Sequence, residues 1–148
     1  MKKYPLLLIL ILLFMAGCST KEQIQIDTDA YLYDSDLNIS EGVKVTLKGF
    51  YDKKNKNFKG SISINNIEYS DVLFTSGSGL IAYEENKRTY LGEIFFNYNT
   101  RQYTIEVSEK KLFYSLTKQE YQNNKLIISS PATNIEKAKQ INTQLKNE

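Results

Sequence analysis

Apolar and polar positions along this chain follow three successive patterns. Residues Leu6 to Met15 form an unbroken apolar run of ten, and polar Ser19, Thr20, Lys21 and Glu22 follow it closely. Further along the pattern has period two: Val43, Val45, Leu47, Gly49 and Tyr51 fall on one face, with Lys44, Thr46, Lys48 and Phe50 on the other. That is the alternation of a half-buried strand. It resumes after the polar loop at residues 52–57 as Phe58, Gly60, Ile62 and Ile64. Asn65-Asn66 then suits the positive φ angles of a tight hairpin, so Ile67 to Phe74 should return as the next strand.

After the punctuating TSGSG at residues 75–79, strands are expected at Leu80–Glu84, Thr89–Tyr98, Gln102–Ser108 and Lys111–Thr117. Asn99-Thr100-Arg101 is the clearest short turn, and LIIS at residues 126–129 offers an edge strand. The last pattern has helical spacing. Ile135, Ala138, Ile141 and Leu145 form a stripe behind Ser130 as N-cap and Pro131 in the first turn, which predicts an amphipathic helix at about 131–146. Sequential strands with short links imply a mainly β fold, an antiparallel meander curled into an open barrel or sandwich, with this one C-terminal helix covering a face or end of the sheet.

The first apolar run changes where this fold is expected to sit. Lys2 and Lys3 precede it and small Ala16 and Gly17 close it, the layout of an export signal; ten apolar residues are too few to cross a bilayer. Met15-Ala16-Gly17-Cys18 resembles the lipobox of bacterial lipoproteins, with Met15 in place of the usual Leu. The resemblance implies cleavage between Gly17 and Cys18, a diacylglycerol on the Cys18 thiol, and further acylation of the new amino terminus, palmitate among the acyl groups. Two or three chains hold a protein durably where one does not. The expected organisation is residues 1–17 removed, residues 18–30 a lipidated N-terminus and short tether, and residues 31–148 one β-rich domain. The expected location is the outer, extracytoplasmic face of the cell membrane.

Composition adds two points. Removal of residues 1–17 takes Lys2 and Lys3 away and leaves 17 basic against 17 acidic side chains, a balance that disfavours nucleic acid as a partner. The charge is nevertheless uneven: Asp27, Asp29, Asp34 and Asp36 lie in an acidic stretch, whereas Lys44, Lys48, Lys53, Lys54, Lys56 and Lys59 face only Asp52 across residues 44–59. The basic stretch reads first as a solvated hairpin turn, and second as a tip for anionic lipid headgroups or wall polymers. Abundant Lys, Asn and Ile, with only Arg88 and Arg101 for arginine, fits a low-GC Gram-positive source.

Candidate chemistry is sparse. The chain has no His, and its only Cys is Cys18, which excludes Ser-His-Asp and Cys-His catalysis and the usual zinc, copper and iron ligand sets. No cofactor is expected. Residues 34–45 begin like a calcium loop with Asp34, Asp36 and Asn38, but Ile39 stands where the turn needs Gly and Val45 where Glu should close the cage. Weak calcium binding among Asp27, Asp29, Asp34 and Asp36 is the remaining metal reading. Glu84, Glu85, Glu93 and Asp71 are carboxylates without a partner evident in sequence, and TSGSG lacks the Lys of a phosphate loop. Tyr31/Tyr33 and Tyr98/Tyr103 are candidate recognition clusters for glycan or protein.

The expectation is therefore a membrane-anchored, non-enzymatic lipoprotein that binds another envelope protein. Its layout is similar to the small lipoproteins of low-GC bacteria and their mobile elements, some of which act in exclusion or immunity. The alternative is a β-barrel holding a lipid or cell-wall fragment, and the third reading a carboxylate-based hydrolase.

Overall fold

The computed structural model describes residues 20–34, 36 and 39–148. Eight strands run β1 (Lys21–Asp34), β2 (Ile39–Asp52), β3 (Asn57–Ile64), β4 (Ile67–Thr75), β5 (Ser78–Glu84), β6 (Lys87–Asn97), β7 (Gln102–Val107) and β8 (Leu126–Ser130). Helix α1 (Lys110–Thr117) lies between β7 and β8, and α2 (Ile135–Lys146) follows β8.

Each strand pairs antiparallel with the next, and β8 returns to β1 through Tyr31↔Ser129, Leu32↔Ile128 and Tyr33↔Ile127, so the meander is a closed barrel. The LIIS segment is thus no edge: it sits between β7 and β1, and closure removes the free edges on which other chains could pair. The alternation runs apolar inward and polar outward, the reverse of a barrel whose wall faces lipid.

Large side chains fill the interior. Phe58, Phe74, Tyr103, Leu47, Ile62 and Ile94 are all fully buried there. An aromatic ladder descends from the rim: Tyr98 stacks on Tyr51 at 4.9 Å, Tyr51 meets the edge of Phe96 at 5.3 Å, Phe96 meets Phe74 at 5.8 Å, and Phe74 stacks on Phe58 at 4.9 Å. Paired Gly49 and Gly60 make room for it, since a Cβ on either would come within 2.9 Å of the Phe58 ring. Gly92 has φ +151° at the β5–β6 bulge, where a Cβ would lie 1.9 Å from the Glu106 carbonyl oxygen.

Three further expectations are corrected. Residues 21–30, expected in the tether, are the first part of β1; Ile24, Ile26, Ala30 and Leu32 carry the inward alternation there, thinned by polar outward neighbours. Lys111–Thr117 is helix, not strand. Glu109 caps it by accepting from the Leu112 N–H at 2.6 Å, and Lys118 ends it in the left-handed conformation. Its stripe of Leu112, Phe113 and Leu116 plugs one barrel end, with Phe113 edge-on to Tyr121. Finally, α2 starts four residues after its expected start. Asn134 caps it through the Lys137 N–H, while Ser130 ends β8 and directs its hydroxyl to Thr28 at 2.6 Å. The predicted α2 stripe is as read, and packs on the outer wall over Tyr33, Tyr31, Phe95 and Ile127.

Candidate functional site

Antiparallel succession sorts the turns onto two ends. One end, the mouth, collects the start of β1 and the β2–β3, β4–β5 and β6–β7 turns; the far end collects the β3–β4 and β5–β6 turns and α1.

The mouth is laced by charge. β1 extends beyond the last residue of β8, and side chains span the seam: Glu22 accepts from Lys53 Nζ at 2.6 Å, from Arg101 Nη2 at 3.2 Å and from the Tyr98 hydroxyl. Arg101 also lies over the Tyr98 ring at 4.3 Å, and Tyr51 stacks on the same ring at 4.9 Å. The hydrogen bond from Lys53, then that from Tyr98, holds the Glu22 carboxyl down at about 2 against the opposing effect of desolvation. Beside this network is a groove of about 790 Å³, lined by Tyr51, Lys56, Phe96, Tyr98, Leu145 and Lys146 among others.

A second charged cluster lies under α2. Glu106 points out of the barrel yet is buried beneath the helix, where it accepts from Lys125 Nζ at 2.8 Å and pairs with Lys146 near the helix end. Burial alone would raise its carboxyl, but hydrogen bonds from the two lysines outweigh that and leave it below the ordinary range. Thr104 and Ser129 share a buried hydrogen bond of 2.8 Å on neighbouring strands. Inside the barrel, burial pushes the Tyr103 hydroxyl up to about 12, tempered by its bonds with Ser130 and Thr28.

The predicted residues are dispersed. Gly17 and Cys18 lie outside the described residues. Asp27 pairs with Lys44 at 3.3 Å, and Asp34 accepts from the Asp36 N–H at 2.7 Å in a local turn. Among the described residues no group of three or more His, Cys, Asp or Glu side chains could hold a metal ion. Glu84 and Glu85 are exposed at the β5–β6 turn, Asp71 lies 4.0 Å from Lys59, and Glu93 stands opposite Glu106 in the register. TSGSG is a turn: the Ser76 hydroxyl bonds both the N–H and the carbonyl of Phe96, and Gly77 takes φ +75°.

The tyrosine clusters are not surfaces either. Tyr33 is buried under α2 and Tyr31 is half-covered; Tyr103 is fully buried and Tyr98 is stacked at the mouth. The exposed aromatics are others: Phe50 (55%) near the mouth, and Tyr83 (37%), Tyr90 (48%) and Tyr114 (55%) towards the far end. Tyr83 stands opposite Arg88 and Tyr90 opposite Ile81 on β5–β6, and the Tyr90 ring covers Gly79. Sequence reasoning missed Glu22 because it fell in the supposed tether, and Glu106 because nothing local shows that a helix covers an outward strand position.

Among known proteins, no family model, no curated protein and no solved structure matches this chain. No helix among the described residues is long and apolar enough to cross a membrane.

Proposed function

We propose that this chain is a lipoprotein held at the extracytoplasmic face of the cell membrane by lipid on Cys18, and that its barrel is a non-enzymatic module recognising another envelope protein. The observation that carries the recognition half is the exposed set Tyr83, Arg88, Tyr90 and Tyr114 towards the far end. Tyr and Arg are the residues enriched in protein interfaces and their hot spots. The lipobox residues support the anchor; β1 begins only three residues after Cys18, and the tyrosines lie towards the opposite end of the barrel from that start. The carboxylates at Glu22 and Glu106 are held ionised by cations, the opposite of the raised pKa a general acid uses, which supports a binding role over hydrolysis. A partner in exclusion or immunity belongs to the same reading.

The test is a crosslinking pull-down from intact cells with the wild type, Cys18→Ala and Tyr83→Ala/Tyr114→Ala. The reading expects one envelope protein recovered with the wild type and lost with both variants. Equal recovery with all three, or none above background, would count against it. A small-ligand barrel is the second reading, favoured by the mouth groove; it expects a lipid or wall fragment extracted with the purified protein in stoichiometric amount.

A further inference from the structure

We infer that the β2–β3 hairpin docks on an anionic bilayer surface, so that the barrel stands mouth-down on the membrane. This rests on the Cys18 anchor proposed above, and it assigns that anchor a second, electrostatic contact.

Residues 48–59 hold Lys48, Lys53, Lys54, Lys56 and Lys59 against the single acid Asp52. Asp52 is itself buried and its carboxylate is taken up by the N–H groups of Lys54 and Asn55 and by the Asn55 side chain, so its single negative charge is held within the turn and leaves the five lysines in clear excess. Lys53 shares Glu22 with Arg101, and Lys59 has only a loose contact with Asp71 at 4.0 Å. Lys48, Lys54 and Lys56 are exposed and have no ion-pair partner among the described residues. The chain from residue 18 on is neutral overall, so this hairpin is a local excess of positive charge and not a sample of a basic protein.

Two further observations select a membrane. Phe50 is 55% exposed on the outer face of β2, opposite Lys59 and beside a shallow groove of about 500 Å³ that also includes Lys21, Asp71 and Leu73. A bare aromatic ring among lysine side chains is the composition of a surface that rests at headgroup level. Secondly, β1 begins at Lys21 opposite Asp52, at the base of the hairpin turn. Three residues of chain span at most about 10 Å, so lipid on Cys18 would hold this hairpin within roughly one Debye length of the headgroups.

The barrel closes within residues 21–130 and α2 ends at Lys146, so the chain from residue 18 on carries every described element of the fold. That chain with Cys18→Ser, free of lipid, is sedimented with vesicles of phosphatidylcholine alone or mixed equally with phosphatidylglycerol. Binding is expected only to the anionic vesicles and should fall with added salt. Each lysine neutralised at a surface contact weakens binding about fivefold, so Lys48→Gln/Lys54→Gln/Lys56→Gln should lose roughly a hundredfold. Phe50→Ser should weaken it severalfold, whereas Lys87→Gln/Lys110→Gln/Lys111→Gln, the same charge change at the far end, should leave it within about threefold. Unfolding midpoints equal to the wild type establish that the variants are folded.

Equal binding to both vesicle types, no binding, or equal weakening by the two triple variants would overturn the assignment. Capture by soluble anionic wall polymer without vesicle binding would overturn it too. Since the probe carries no lipid, failure here leaves the anchor standing. Conversely, an intact mass showing unmodified Cys18 in cells would remove the anchor and leave a positive vesicle result in place.

Discussion

Replacing Phe74 with alanine removes the middle of the aromatic ladder. The ring is 1% exposed, stacked on Phe58 at 4.9 Å with 20° between planes, and edge-on to Phe96 at 5.8 Å. Loss of the ring's transfer free energy costs about 2 kcal/mol. The strands are tied on both sides and cannot collapse inward, so a residual cavity of roughly 80 Å³ adds about 2 kcal/mol more. A total near 4 kcal/mol corresponds to a fall in Tm of roughly 15 °C for a domain of this size. Phe50→Ala on the outer wall deletes the same atoms where they are already half in water, and should change stability by no more than about 0.5 kcal/mol. The assay is urea unfolding followed by circular dichroism, in which Phe74→Ala should lower the midpoint without altering the slope. If Phe74→Ala and Phe50→Ala were equally mild, the barrel interior would not be filled as described, and the ligand-carrier reading would gain.

Other outcomes follow from particular contacts. Gly92→Ala should cost at least about 2 kcal/mol, because its Cβ meets the Glu106 carbonyl, whereas Gly77→Ala, also at positive φ but with open space around it, should cost about 1; thermal unfolding of the pair separates crowding from conformation. Glu22 has a folded pKa near 2, depressed from 4.5, so its contribution is present above pH 4.5 and is lost as pH falls toward 2; the unfolding midpoints of wild type and Glu22→Gln should converge over that window, and parallel curves would contradict the mouth network. Tyr103 and Tyr69 have pKa values raised to about 12 from 10.0, chiefly by burial, so the stability they contribute is present below pH 10 and is lost as pH rises toward 12, visible as a late phenolate absorbance step that coincides with unfolding. Lys146→Met should leave the barrel intact but speed amide exchange in the last turn of α2, which its pairing with Glu106 ties down.

Much of the barrel is written locally. Val43 to Tyr51 and Phe58 to Ile64 alternate because one face of each must be buried, and Asn65-Asn66 supplies the turn, with Asn65 at φ 53°. The α2 stripe is equally local. What could not be read is set by partners distant in sequence. Ile24 and Ile26 looked isolated because the strand they belong to is completed by Leu47 and Gly49 across the β1–β2 hairpin. Leu112 and Phe113 are adjacent, which suits either an apolar strand or a helix, and only the open end of the barrel decides for a plug. Closure depends on three β1–β8 pairs that join residues nearly a hundred positions apart. The mouth network is likewise assembled from Glu22, Lys53 and the β6–β7 turn, with no spacing rule to connect them.

The proposed anchoring and orientation of the barrel are open to one direct measurement. Cys18 is the only cysteine, so with its thiol blocked by the diacylglycerol a new thiol is unique. Asn99→Cys lies at the mouth, in the β6–β7 turn, and Asn86→Cys at the far end, in the β5–β6 turn. Strand β6, 11 residues long and tilted as in an eight-stranded barrel, separates the two turns by about 28 Å. A fluorophore on each, in membranes holding the lipidated protein, is read against a quencher carried on lipid headgroups. Strong quenching at residue 99 and little at residue 86 is the predicted result. Equal quenching, no quenching, or the reverse order would contradict a lipidated barrel standing mouth-down on the membrane.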